Sequence, residues 1–169
     1  MLAFLMLLIG IFSRCVLHIP NFTPVVALAL FSGAYLPKRY AVVYPLALMV
    51  ISDFFIGWHD TIWFTWGSVA AISVFGFWVK NHKNPVTILS SSLLASVFFF
   101  VVTNFGTWYA SNLYPRTWEG LQSCFILAVP FFRATVLSTV AYAFVIFGLY
   151  ELMAARIKKT QLASVLLSR

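Results

Sequence analysis

Apolar residues recur along this chain in long unbroken runs, without the period-two alternation of a half-buried strand. Runs of seventeen or more residues with almost no charge are each long enough to cross a hydrocarbon core of about 30 Å as a helix. Six spans are predicted: Met1 to Leu17, Thr23 to Leu36, Tyr40 to Trp58, Ile62 to Val79, Val86 to Trp108 and Phe131 to Met153. The second is short unless it begins near Pro20, and Pro24 and Pro37 mark its ends, where proline is tolerated or stops a helix. The stretch from Leu121 to Met153 is too long for one crossing, and Pro130 is expected to divide it into a short outer helix and the sixth span. A strand-built barrel is excluded, because its lumen-facing positions would alternate polar with apolar. The fold class is therefore all-α, a bundle of about six transmembrane helices forming one domain over residues 1–169. No sequence repeat relates the two halves, so a transporter built from inverted repeats is not supported.

Composition agrees about the solvent. With 62% hydrophobic and 9% charged residues and a mean hydropathy of +0.95, a water-soluble fold would lack the polar side chains to cover its surface. Charge then sets orientation. Lys38 and Arg39 follow the second span, Lys80 and Lys83 the fourth, and Arg156, Lys158 and Lys159 the sixth. The positive-inside rule makes that side the cytoplasm, with both termini inside. The net charge of +7 is thus an address on the membrane and calls for no nucleic-acid partner. The first span is not expected to be a signal peptide: it has no basic leading region and no small-residue cleavage site, and Arg14 before Cys15 spoils a lipoprotein-type signal.

Depth follows from orientation. Asp53 lies thirteen residues beyond Tyr40, about 20 Å from the inner edge at a rise of 1.5 Å per residue. Arg14 falls at the same height, and Arg133 is expected in the first turn of the sixth span. The outer loops add His18, Asn21, His59, Asp60, Asn104, Arg116 and Glu119, with Trp58, Trp63, Trp66, Trp108 and Trp118. Intramembrane charges face a bundle interior, a partner charge or a water-filled cavity. Two readings follow. Asp53 pairs with Arg14 or Arg133 and holds helices together, or the charges floor a solute pocket open to the outside and walled by tryptophans. Arg133 at a helix N-terminus, together with that helix's free amides, would attract an anion. At least half of the tryptophans are expected to belong to the interfacial belt. Thr135, Ser138, Thr139 and Tyr142 share one face of the sixth span, and Ser92, Ser96, Phe99, Thr103 and Gly106 form a stripe on the fifth; both suit helix packing, as does the small-residue pair Ala29 and Gly33.

Other chemistry is sparse. No zinc-protease, nucleophile-elbow or phosphate-loop motif is present, and no metal or cofactor is expected. Cys15 and Cys124 both sit toward the outer side, and buried thiols are expected rather than a disulfide. His59 beside Asp60 is expected to be hydrogen-bonded rather than a metal ligand. A membrane enzyme with Asp53 and His59 as acid and base is the weakest of three readings. A scaffold whose intramembrane charges are structural is the second. The first is a solute binder, with Arg14, Asp53, His59, Asn104 and Arg133 as polar anchors and Trp63, Trp66 and Trp108 as stacking walls.

The stretch "PNFTPVVALALFSGAYLPKRYAVVYPLALMVISDFFIG" resembles the start of the S components of energy-coupling factor (ECF) vitamin transporters. "TNFGTWYASNLYPRTWEGLQSCFILAVPFFRATVL" resembles a family of small, uncharacterised, S-component-like bacterial membrane proteins. Together the resemblance covers roughly Asn21 to Leu152. It implies a six-helix subunit of the bacterial inner membrane that captures a vitamin-like micronutrient from outside, is not an enzyme, and works with an ECF-type energising module of a coupling protein and ATPases. The alanine-xxx-alanine docking motif common on the first helix of S components is absent from the first span here, and only Ala29 and Gly33 on the second come close. Some relatives without a dedicated module use a cysteine as a cobalt ligand; the residues of that kind here are Cys15, Cys124 and His59.

Overall fold

A computed structural model describes residues 2–16 and 21–160, with the side chains of residues 7, 10, 11 and 13–16 outside the description. The helices are α1 (Leu2–Val16), α2 (Val25–Tyr35), α3 (Lys38–Ala41), α4 (Val43–Ile56), α5 (Ile62–Val79), α6 (Pro85–Ala110) and α7 (Trp118–Ile157). The protein is an all-α membrane bundle. Lys38–Ile56, Ile62–Val79, Pro85–Ala110 and Trp118–Ile157 are long and apolar enough to cross a bilayer.

The shortest main helix occupies the centre. Every residue of α2 is buried, because α1, α4, α5, α6 and α7 all pack around it. Its sequence VVALALFSGAY has no polar face to turn toward solvent, and a helix apolar all round belongs in a core. At eleven residues it spans only about 16 Å, roughly half of a hydrocarbon core. The α2–α5 crossing depends on glycines. A Cβ on Gly33 would overlap the Ser73 carbonyl oxygen and come within 2.7 Å of the Gly76 Cα, and a Cβ on Gly76 would meet the Gly33 Cα at 2.8 Å. The small-residue pair Ala29 and Gly33 is thus internal packing, with both residues buried.

Two prolines shape the rods around α2. Pro45 has no N–H for the carbonyl four residues earlier, that of Ala41. The helix is interrupted at Val42, between α3 and α4, and the Ser32 hydroxyl of α2 reaches the Ala41 oxygen at 2.7 Å. Pro130 behaves differently from expectation. It lies inside α7, which runs unbroken for 40 residues. One missing rung does not end a helix whose turns on both sides keep their bonds, a tolerance common in membrane spans. At about 60 Å, α7 is far longer than a bilayer core and projects beyond it or tilts within it.

Asn84 caps α6, its Oδ1 accepting the Thr87 N–H at 2.8 Å, with Pro85 at the first helical position. At this end of the bundle Lys83 Nζ lies 3.9 Å from Glu151 Oε1. If the basic end is cytoplasmic, single cysteines replacing Lys38, Lys80 or Lys158 in a cysteine-free background should resist an impermeant thiol reagent on intact cells, whereas one at Asn112 should react. Labelling from outside at the three lysine positions would reverse the orientation.

Candidate functional site

Because α2 stops short, the bundle has a gap beyond its N-terminal end. A cavity of about 360 Å³ occupies it. Val25 and Met49 line it from α2 and α4, Thr61 and Thr65 from the start of α5, Phe99, Phe100, Thr103, Asn104 and Thr107 from α6, and Phe131, Phe132 and Thr135 from α7. Asn21 and Thr23 contribute from the segment before α2. Asn21 adopts φ 57°, a left-handed conformation that asparagine tolerates better than most residues. Its carbonyl lies 3.5 Å from the Ser138 hydroxyl, which ties this lip to α7. The size and the mixture of aromatic walls with a few convergent polar groups are those of a small-molecule site. A second hollow of about 350 Å³ between α5 and α6 is lined by Ala71, Ile72, Phe75, Leu94, Ala95 and Phe98. With no polar side chain it suits acyl chains of the bilayer.

The wall hydroxyls share a habit. Thr103 Oγ1 donates to the Phe99 carbonyl at 2.7 Å, Thr107 to Thr103 at 3.0 Å, Thr135 to Phe131 at 3.1 Å and Thr65 to Thr61 at 3.2 Å. Asn104 Nδ2 donates likewise to the Phe100 carbonyl at 2.8 Å. A helix-borne threonine back-bonded in this way keeps acceptor lone pairs for whatever lies in front of it.

Of the eight residues expected at the site, Asn104 is the one that lines this cavity among the described side chains. Arg14 keeps its place on α1, but its side chain lies outside the described residues, as does that of Cys15. Asp53 is 1% exposed and accepts a hydrogen bond from Trp66 Nε1 at 2.8 Å, joining α4 to α5. Trp63 and Trp58 flank Trp66, with ring centroids at 5.5 and 6.2 Å. Trp63 is 73% exposed, a belt residue rather than a wall. Trp108 donates to the Pro115 carbonyl at 3.0 Å, bracing the loop after α6. His59 is exposed, and its Nδ1 lies 2.9 Å from Thr61 Oγ1. Arg133 is exposed in the middle of α7. The free amides expected beside it do not exist, since α7 begins fifteen residues earlier at Trp118. Cys124 is buried and free, its thiol 3.4 Å from the Asn104 carbonyl oxygen. Among the described residues no three His, Cys, Asp or Glu side chains come together as a metal site.

Asp53 is therefore part of the packing between α4 and α5. Trp66→Phe keeps an aromatic ring but removes this N–H donor to a buried carboxylate, which should lower stability by about 1.5 to 3 kcal/mol. Thermal unfolding in detergent measures it, and an unchanged transition would mean the bond holds nothing.

At the opposite end a smaller hollow of about 260 Å³ is bordered by Tyr35, Lys83 and Glu151. The Tyr35 hydroxyl donates to Glu151 Oε1 at 2.5 Å, and Lys83 Nζ sits 3.9 Å from the centre of the Tyr35 ring. These three residues tie α2, the α5–α6 loop and α7 together. Sequence reasoning missed Tyr35 and Glu151, whose separation along the chain gives no sign that they meet.

No curated protein and no solved structure matches the chain. One family model does, over residues 1–162, and the chain belongs to that family, a family of unknown function designated DUF6580.

Proposed function

We propose that the protein is an S-component-like transporter subunit of the bacterial cytoplasmic membrane, which binds a small vitamin-like micronutrient in an outward-facing pocket for uptake. The observation that carries the reading is the cavity beyond α2, lined by six threonines, two asparagines and four phenylalanines. It lies at the end of the bundle away from the basic clusters Lys38–Arg39, Lys80–Lys83 and Arg156–Lys159, which the positive-inside rule makes the outer end. At the other end Tyr35, Lys83 and Glu151 contact one another beside a smaller hollow of about 260 Å³, so the larger, threonine-lined cavity is the one that supports an outward-facing site. The resemblance to S components points the same way. Coupling to an ECF-type energising module would need a docking face other than Ala29 and Gly33, which are buried.

A host lacking this protein should lose high-affinity uptake of one micronutrient at low external supply and regain it when the gene is restored. Unchanged uptake across a panel of radiolabelled vitamins and related heterocycles would remove the transport reading. The scaffold reading is favoured by one observation, the Asp53–Trp66 bond between α4 and α5. It explains Asp53 and leaves the cavity unexplained.

A further inference from the structure

Resting on the reading that this cavity holds the solute, we propose that the solute is a hydrogen-bond donor: a small ring compound with amide or amino N–H groups along its flank, rather than a carboxylate or a phosphate. The walls carry the inference. Thr65, Thr103, Thr107 and Thr135 each have their single hydroxyl proton directed to the carbonyl four residues earlier. A donor in the cavity adds a hydrogen bond to each oxygen it reaches, with nothing lost. An acceptor must first turn a hydroxyl away from its carbonyl, exchanging one bond for another. Asn104 adds Oδ1, since its amide nitrogen faces the Phe100 carbonyl and the reverse orientation would oppose two oxygens. The phenylalanine rings around these oxygens suit a flat body.

The lip, where Asn21, Thr23 and Thr61 can donate as well as accept, and the floor are the exceptions. At the floor α2 begins with no side-chain cap, and a helix start favours an acceptor. An amide or ring lactam meets both, with its carbonyl at the floor and its N–H at the wall. A carboxylate meets only the floor and the neutral donors of the lip and finds no cation among the lining residues, so its charge is left unpaired against acceptor oxygens and phenyl rings, where burial is costly.

Three probes built on one phenyl ring and carbonyl separate these terms: benzamide, methyl benzoate and benzoate, titrated into the purified detergent-solubilised protein by ligand-observed NMR with protein-free micelles subtracted. Benzamide should bind about fivefold more tightly than methyl benzoate, the value of one neutral hydrogen bond, and at least about tenfold more tightly than benzoate. The double variant Thr103→Val, Thr135→Val keeps shape and removes acceptors, so the preference for benzamide should shrink to within about twofold. Thr103→Ser, Thr135→Ser should retain it, which guards against loss of fold as the cause. Benzoate or methyl benzoate binding as well as benzamide, with affinities that still respond to the threonine variants, overturns the donor inference and leaves the pocket. Equal binding of all three that no cavity variant alters overturns both the inference and the pocket. Binding of none of them overturns the inference.

Discussion

Replacing Gly33 with alanine is expected to destabilise the protein by on the order of 3 kcal/mol, the upper part of the range for overpacking a closed interface. The new methyl group would meet backbone, the Ser73 carbonyl and the Gly76 Cα, and backbone in two packed helices cannot swing aside as a side-chain tip can. The effect should spread beyond one contact, because α2 is the element around which α1, α4, α5, α6 and α7 are arranged. Gly76→Ala should act alike. The two glycines face each other at one point, so the first substitution opens the room that the second needs. The double variant should therefore cost less than the sum of the singles by about 1 kcal/mol or more. Gly67→Ala is the control: a Cβ there meets nothing within 4 Å, and alanine is the better helix former by about 1 kcal/mol. Thermal unfolding of the four variants in one detergent decides it. A Gly33→Ala protein as stable as the Gly67→Ala protein would mean that α2 and α5 do not cross at the glycines.

Filling the cavity should have the largest functional effect. Thr103→Phe adds a ring to a space of about 360 Å³, and solute binding should fall by at least about a hundredfold, a loss of roughly 2.7 kcal/mol or more. The fold should survive, since the ring enters empty volume. Arg133→Gln and Trp63→Ala should change binding by no more than about twofold, because both side chains are exposed and surface substitutions of this kind are worth little. The contrast separates the cavity from the charged and tryptophan-rich layer. A hundredfold loss in Arg133→Gln with none in Thr103→Phe would move the site to that layer.

Much of the bundle was legible in the sequence, for a physical reason. Spans are defined by what a bilayer excludes, so α5 runs from Ile62 to Val79 as expected, between a polar turn and the KNHKNP loop. Pro130 misled because a proline's effect depends on the helix around it, and α7 carries the defect. The site was less legible. Asp53, Arg14 and Arg133 draw attention because charge in a membrane is expensive, yet Asp53 is bonded to Trp66 and Arg133 is on the outside of α7. Thr103 and Thr135 were visible on polar stripes that read as packing. A back-bonded threonine leaves the same mark in a sequence whether a neighbouring helix or an empty volume stands before it. The brevity of α2 was the available clue, since a central helix of eleven residues cannot fill a 30 Å layer.

Native mass spectrometry of the protein, purified from its host without washing out small molecules, addresses solute capture directly. The parent should carry one small organic molecule of constant mass in stoichiometric amount. The Arg133→Gln protein should carry the same molecule, and the Thr103→Phe protein, equally folded, should carry none. A bare parent under conditions that preserve bound lipid, or the same molecule retained by Thr103→Phe, would contradict an outward-facing pocket above α2.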